Sequence, residues 1–135
     1  MNQDHAERIA VFQSSLQRVL LNPDFFDRFY DRFIDSSPGI AEVFKDLEMR
    51  QLKQKLRMTL EMVADIAEGK PGLGMYLEML GKIHQRLKIE PDYFRLWQQA
   101  LLATVAEKDP AFDARVEDAW RASIEEVIEQ MGGNR

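Results

Sequence analysis

Apolar residues return every three or four positions through most of this chain, and prolines and glycines cut the stretches that carry this spacing into separate lengths. On an α-helix such spacing lines up one face. No run alternates apolar and polar residues as a half-buried strand does, and no two-residue hairpin turn occurs. The chain is therefore predicted to be all-α. A first helix is expected over about residues 3–20, with Ile9, Phe12, Leu16 and Val19 on its inner face, ended by Asn22-Pro23. Pro23 suits the first turn of a second helix, with Asn22 as its N-cap. That helix contains FFDRFYDRFI, in which Phe26, Phe29, Tyr30 and Phe33 form one broad aromatic face. Ser36-Ser37-Pro38-Gly39 closes it, and a short helical turn through Ile40 and Val43 leads to Phe44.

A longer helix is expected over about 48–68, its inner stripe being Met49, Leu52, Leu56, Leu60, Val63 and Ile66/Ala67. Gly69-Lys70-Pro71-Gly72 breaks it. Leu73, Leu77, Leu80, Ile83 and Leu87 mark the helix that follows. Glu90-Pro91 opens another, with Trp97, Leu101 and Val105 buried, and Lys108-Asp109-Pro110 interrupts it. The last, about 111–131, uses Phe112, Val116, Trp120, Val127 and Met131. About six main helices on short connections suit a bundle around one core. A length of 135 residues with 45% hydrophobic content fits one such domain. Met49, Met58, Met62, Met75 and Met79 are read as gap-fillers in or near that core.

Several chemistries drop out. The chain has no cysteine, so disulfides, thiolate-bound metals and cysteine catalysis are excluded. A net charge of −5, with bases scattered among acids, argues against nucleic acid or an anionic membrane as partner. The start, MNQDHAERIAVF, lacks a signal-peptide pattern and no apolar run is long enough to span a bilayer, so a soluble, cytoplasmic protein is expected. No phosphate loop, nucleophile elbow or HExxH spacing is present, and no residue stands out as catalytic. The pairs Asp31/Asp35 and Glu125/Glu126 read as solvated helix faces. What is left is His84, beside the apolar stripe of its helix; His5, the other histidine, lies in a polar stretch. Taken alone, a histidine at a core edge is more often satisfied by a backbone carbonyl than bound to a metal.

The order and spacing of particular residues change that reading. FYDRFIDSSP at 29–38, Val43-Phe44, the helix through 52–63, LGKIHQRLKIEP at 80–91 and Ala119-Trp120 follow one another along the chain. Tyr30 stands fourteen residues before Phe44, and Phe44 forty before His84. In these features the chain resembles bacterial single-domain globins of the three-over-three kind, relatives of flavohaemoglobins and of globin-coupled sensors, over nearly its whole length. The resemblance implies a globin fold of six or seven helices around haem b (iron protoporphyrin IX), as one domain over residues 1–135. It also implies that His84 is the single proximal iron ligand. Its Nδ1–H would then donate to a backbone carbonyl about one turn back, near Leu80. Leu80, Leu87 and Ile89 would pack the proximal side of the macrocycle, Phe44 would stack on the porphyrin, and Phe94 is a further cofactor-binding position.

On the distal side, Tyr30 matches the position at which many bacterial globins keep a tyrosine whose hydroxyl points at the ligand. Such a donor favours O2, which gains negative charge when bound, over CO. Leu56 would overlie the haem, which its twenty-eight-residue spacing to His84 favours. The residue one turn earlier is then Leu52, where globins usually place histidine or glutamine. A one-residue change of helix phase would bring in Gln51 instead; Leu52 continues the apolar stripe. Lys55 would stand at the pocket rim, within reach of a haem propionate.

The resemblance implies reversible binding of the diatomic gases O2, CO and NO. Ligand carriage or storage needs only the pocket. Conversion of O2 and NO to nitrate would need a separate reductase, since 135 residues hold no flavin or nicotinamide domain. A gas sensor would need a separate signalling partner. A haem-free signalling module on the same fold is the remaining alternative, opposed by His84 and Phe44 together.

Overall fold

The structure, a computed structural model, describes residues 2–86 and 90–131. It contains seven helices and, among the described residues, no strand: α1 (Asn2–Leu20), α2 (Phe25–Asp35), α3 (Pro38–Phe44), α4 (Met49–Ala67), α5 (Leu73–Arg86), α6 (Pro91–Lys108) and α7 (Ala114–Gln130). No described helix is long and apolar enough to cross a membrane.

The breaks fall where turn chemistry puts them. α2 begins at Phe25 rather than at Pro23, because the Asn22 carboxamide accepts the Asp24 N–H at 2.9 Å and folds the stretch into a turn instead of capping a helix. Ser37 caps α3, its Oγ accepting from the Gly39 N–H, with Pro38 in the first turn. Asp113 does the same for α7 through the Val116 N–H at 3.0 Å. Gly69 and Gly72, both at positive φ, carry the chain from α4 to α5.

One apolar core runs through all seven helices. α1 packs on α7 and α4, α2 on α6, α3 and α4, and α6 on α7. Phe12, Val19, Phe25, Phe29, Leu60, Leu77, Leu101, Val105 and Trp120 have no exposed surface. Burying one such side chain contributes about 1.5–3 kcal/mol. The aromatic face of α2 includes Phe25, which the sequence reading left out, and leaves Phe26 half-buried. The methionines depart from expectation. Of the five read as gap-fillers, Met49, Met58, Met75 and Met79 are exposed and Met62 alone packs on the core, because the other four lie off the buried face of their helices. Ile83, expected on the inner stripe of α5, is exposed as well.

At the α6–α7 corner a polar cluster sits inside this core. Asp109, 3% exposed, accepts from Ser15 Oγ (2.6 Å), from Arg18 Nε and Nη2 (2.6 and 2.9 Å) and from the Ala111 N–H (2.9 Å). Trp120 Nε1 donates in turn to Ser15 Oγ at 2.8 Å. Burial pushes the Asp109 carboxyl up, but Arg18, Ser15 and the Ala111 N–H together hold it below the ordinary aspartate value. The cluster ties α1, the corner and α7 together.

Candidate functional site

His84 lies in the last turn of α5, half-buried, with its ring 5.4 Å from that of Phe94 at an edge-on angle of 68°. Its Nδ1 is buried and, among the described residues, has no hydrogen-bond partner. The bond expected to a carbonyl near Leu80 is therefore not made. Burial lowers the pKa of the ring, so the imidazole is neutral at pH 7, the form in which a nitrogen lone pair can bind a metal. Gln98 Nε2, one turn beyond Phe94 on α6, is the other buried side-chain polar atom without a partner among the described residues.

The remaining candidate positions are aromatic and aliphatic. Tyr30 and Phe33 of α2 both meet Phe44 at the end of α3, with ring centroids 6.2 and 5.6 Å apart. Tyr30, Leu52 and Leu56 are buried, and Phe44, Leu80 and Phe94 pack on the same core. Leu52 points inward while Gln51 is exposed, so the apolar choice is the one that faces the interior. Lys55 stands exposed on the outer edge of α4. Leu87 and Ile89 lie outside the described residues.

The Tyr30 hydroxyl does not stand free. It donates to the Leu52 carbonyl at 2.8 Å and bridges α2 to the first turn of α4. A phenol has one proton to donate, so the donor expected to point at a ligand is engaged by the backbone. Burial raises the Tyr30 pKa well above its ordinary value, which keeps the hydroxyl protonated at any physiological pH. This bond had no signal in the sequence, because a helix's first-turn carbonyls normally accept within the helix.

Chemically, the arrangement suits a group that brings most of its own coordination. No three His, Cys, Asp or Glu side chains among the described residues could share a metal ion. A lone neutral imidazole cannot hold a bare ion firmly, but it is sufficient as the one protein ligand of an iron already held by a porphyrin. The apolar surroundings of Phe44, Leu56, Leu80 and Phe94 match the faces of such a ring. The residues present therefore fit a haem. The cleft between α1 and α7, about 280 Å³ in volume, is lined by Glu7, Ser14, Arg18, Asp113 and Arg115 among others and offers no comparable convergence.

Comparison with known proteins agrees with this geometry. No curated protein matches the chain. Among solved structures, the crystal structure of the protein PA3967 from Pseudomonas aeruginosa PAO1, described as structurally highly homologous to a human hemoglobin, shares 34% identity with it. The match covers 92% of this chain and 95% of that one, with a TM-score of 0.86. A model of the Globin family matches residues 27–131, which includes Tyr30, Phe44, His84 and α7 up to its end. With that match, and with seven helices folded as in a haemoglobin-like structure, the chain belongs to the globin family.

Proposed function

We propose that this globin binds haem b through His84 as one domain over residues 1–135, and that it binds O2, and with it CO and NO, reversibly. The observation that carries the reading is the His84 imidazole, held neutral by burial and packed edge-on against Phe94, at a position that the Globin model covers. When bound, the iron supplies the open coordination position that a diatomic gas needs. The chain's own residues do the rest. Phe94 holds the imidazole edge-on, Phe44 and Leu80 would line the macrocycle, and the buried Leu52 and Leu56 would keep water from the distal side. The buried Tyr30 hydroxyl can serve a ligand only by leaving the Leu52 carbonyl. Lys55, exposed on α4, would meet a propionate.

Carriage or storage of the gas is the reading we favour over turnover. Continuous oxidation of NO would need a supply of electrons to the iron. Sensing would need a signalling partner in the same way.

The test is the optical spectrum of purified protein, ferric and dithionite-reduced, before and after admission of O2, beside His84→Ala. The expected result is a Soret band that weakens or is lost in the variant and a ferrous spectrum that changes with O2 and returns on its removal. Absence of a Soret band after hemin is added to the wild type would overturn the proposal.

A further inference from the structure

We propose that Gly81 is the positioning residue for His84: by letting α5 lie directly against the end of α7, it sets how far the imidazole stands out from the protein. The inference rests on the haem reading above for its purpose, but on the contact between Gly81 and Met131 for its content.

Among the described elements α5 packs chiefly on α7, and only Leu77 and Gly81 of its residues are fully buried. At Gly81 the approach is closer than any side chain would allow. A Cβ there would stand 3.0 Å from the Met131 carbonyl carbon, 3.4 Å from its Cα, and would overlap the carbonyl oxygen. These are backbone atoms, which cannot rotate aside as the tip of a side chain can. Comfortable carbon contacts lie near 3.5–4.0 Å and the overlapped oxygen must clear as well, so even an alanine would part the two helices by on the order of one ångström. His84 is three residues on, one turn along the same face and about 4.5 Å further up the axis. A helix displaced at Gly81 carries the imidazole with it. Ligand geometries tolerate only about 0.5 Å of error, so the displacement reaches the iron bond. Gly74, on the same helix, has nothing within 4 Å of its Cβ position and makes a matched control.

The experiment compares wild type, Gly81→Ala, Gly81→Ser and Gly74→Ala. In the hemin-free proteins, carbethoxylation of the two histidines is followed by mass spectrometry. His5 is exposed and serves as the internal reference. In the Gly81 variants His84 should react several-fold faster while His5 is unchanged; Gly74→Ala should match wild type. With hemin added, the same variants should release it to an acceptor apoprotein about tenfold faster, as changes behind a metal ligand commonly do. The iron–histidine stretching band of the ferrous form should shift with them. If Gly81→Ala and Gly74→Ala give equal His84 reactivity, the end of α7 yields instead of α5 and the proposal is wrong. If wild type takes up no hemin, the haem reading fails, yet the His84 reactivities still decide the role of Gly81.

Discussion

Asp109 and His84 are both polar groups removed from water, and the fold treats them in opposite ways. Asp109 receives four hydrogen bonds from Ser15, Arg18 and the Ala111 N–H and lies at a junction of three elements. His84 keeps a buried Nδ1 that nothing described here satisfies, on a helix fixed mainly by one neighbour. α5 also leaves Met75, Tyr76, Met79 and Ile83 exposed, whereas α7 buries seven residues. Buried polar groups in native proteins are nearly always paired, so each exception calls for an explanation. The difference separates two jobs. The α1–α6–α7 corner joins its elements through these bonds, and the α5 side carries the ring at which we propose that haem binds.

The strongest way to break this contrast is to damage the satisfied side. Asp109→Ala leaves Arg18 and Ser15 without their acceptor, and removing one partner of a buried pair costs about 3–5 kcal/mol. Because Arg18 keeps a third of its side chain in solvent, the lower end, about 3 kcal/mol, is expected. Urea unfolding of the hemin-free protein measures it, and the visible spectrum of the hemin-loaded variant should stay in place. A loss under 1 kcal/mol would mean that the corner is not what holds the fold.

His84 should behave in the reverse manner. His84→Leu is expected to lower hemin affinity by about a hundredfold, near 2.7 kcal/mol. The same change should leave hemin-free stability unchanged or raised by up to about 1 kcal/mol, since an unsatisfied buried group is costly. Hemin titration and urea unfolding on one preparation give both numbers. A variant that loses stability without hemin would show that the ring is a core residue after all.

These two residues also mark how far the sequence could be read. The helices and their breaks were legible, because period-3.6 spacing, proline and glycine act locally. The resemblance supplied the site, since only spacing across the whole chain relates Tyr30, Phe44 and His84. Asp109 was not legible as a hub: in sequence it stands between Lys108 and Pro110 and reads as a helix stop. Its partners lie 94 and 91 residues away, and nothing local announces them. The methionines failed for a related reason. An unbranched apolar side chain suits a core, but which face of α4 or α5 finds a neighbour is decided by tertiary packing. Gly81 looked like part of a motif, and the structure adds its physical reason, the carbonyl of Met131.

Tyr30 stands between the two regions, and its substitution sharpens the comparison at a smaller scale. The hydroxyl must break its 2.8 Å bond to the Leu52 carbonyl before it can donate to a ligand. Its net effect on O2 is then a difference of two hydrogen bonds, about 1.4 kcal/mol or tenfold, the low end for a polarised acceptor. Tyr30→Phe should therefore release O2 about tenfold faster and CO at nearly the wild-type rate, by stopped-flow. Unchanged O2 release, with about 1 kcal/mol lost from the hemin-free fold, would place Tyr30 with Asp109 as architecture.

The smallest effect is on pH, and it separates the two regions by window. Burial lowers the His84 pKa, so the unfolded chain takes up this proton first. Above the ordinary histidine value of about 6.5 both states are neutral and His84 contributes no slope. As pH falls below it, the hemin-free protein loses stability until the folded ring also protonates. The Asp109 carboxyl is held low, so its contribution is complete above the ordinary aspartate value of about 3.9 and is lost as pH falls through the lower folded value. Glu107, pushed to about 2 by the guanidinium of Arg28 and then by Arg32, adds to the same acid window. Urea midpoints of the hemin-free protein from pH 7.5 to 3 should therefore fall in two steps. His84→Leu should erase the upper step alone, and Asp109→Asn should make only the lower one shallower. Hemin should also abolish the upper step, because iron on the imidazole and a proton on the same nitrogen exclude one another. An upper step that survives both hemin and His84→Leu would have to come from another group, and the contrast between the two regions would lose its electrostatic half.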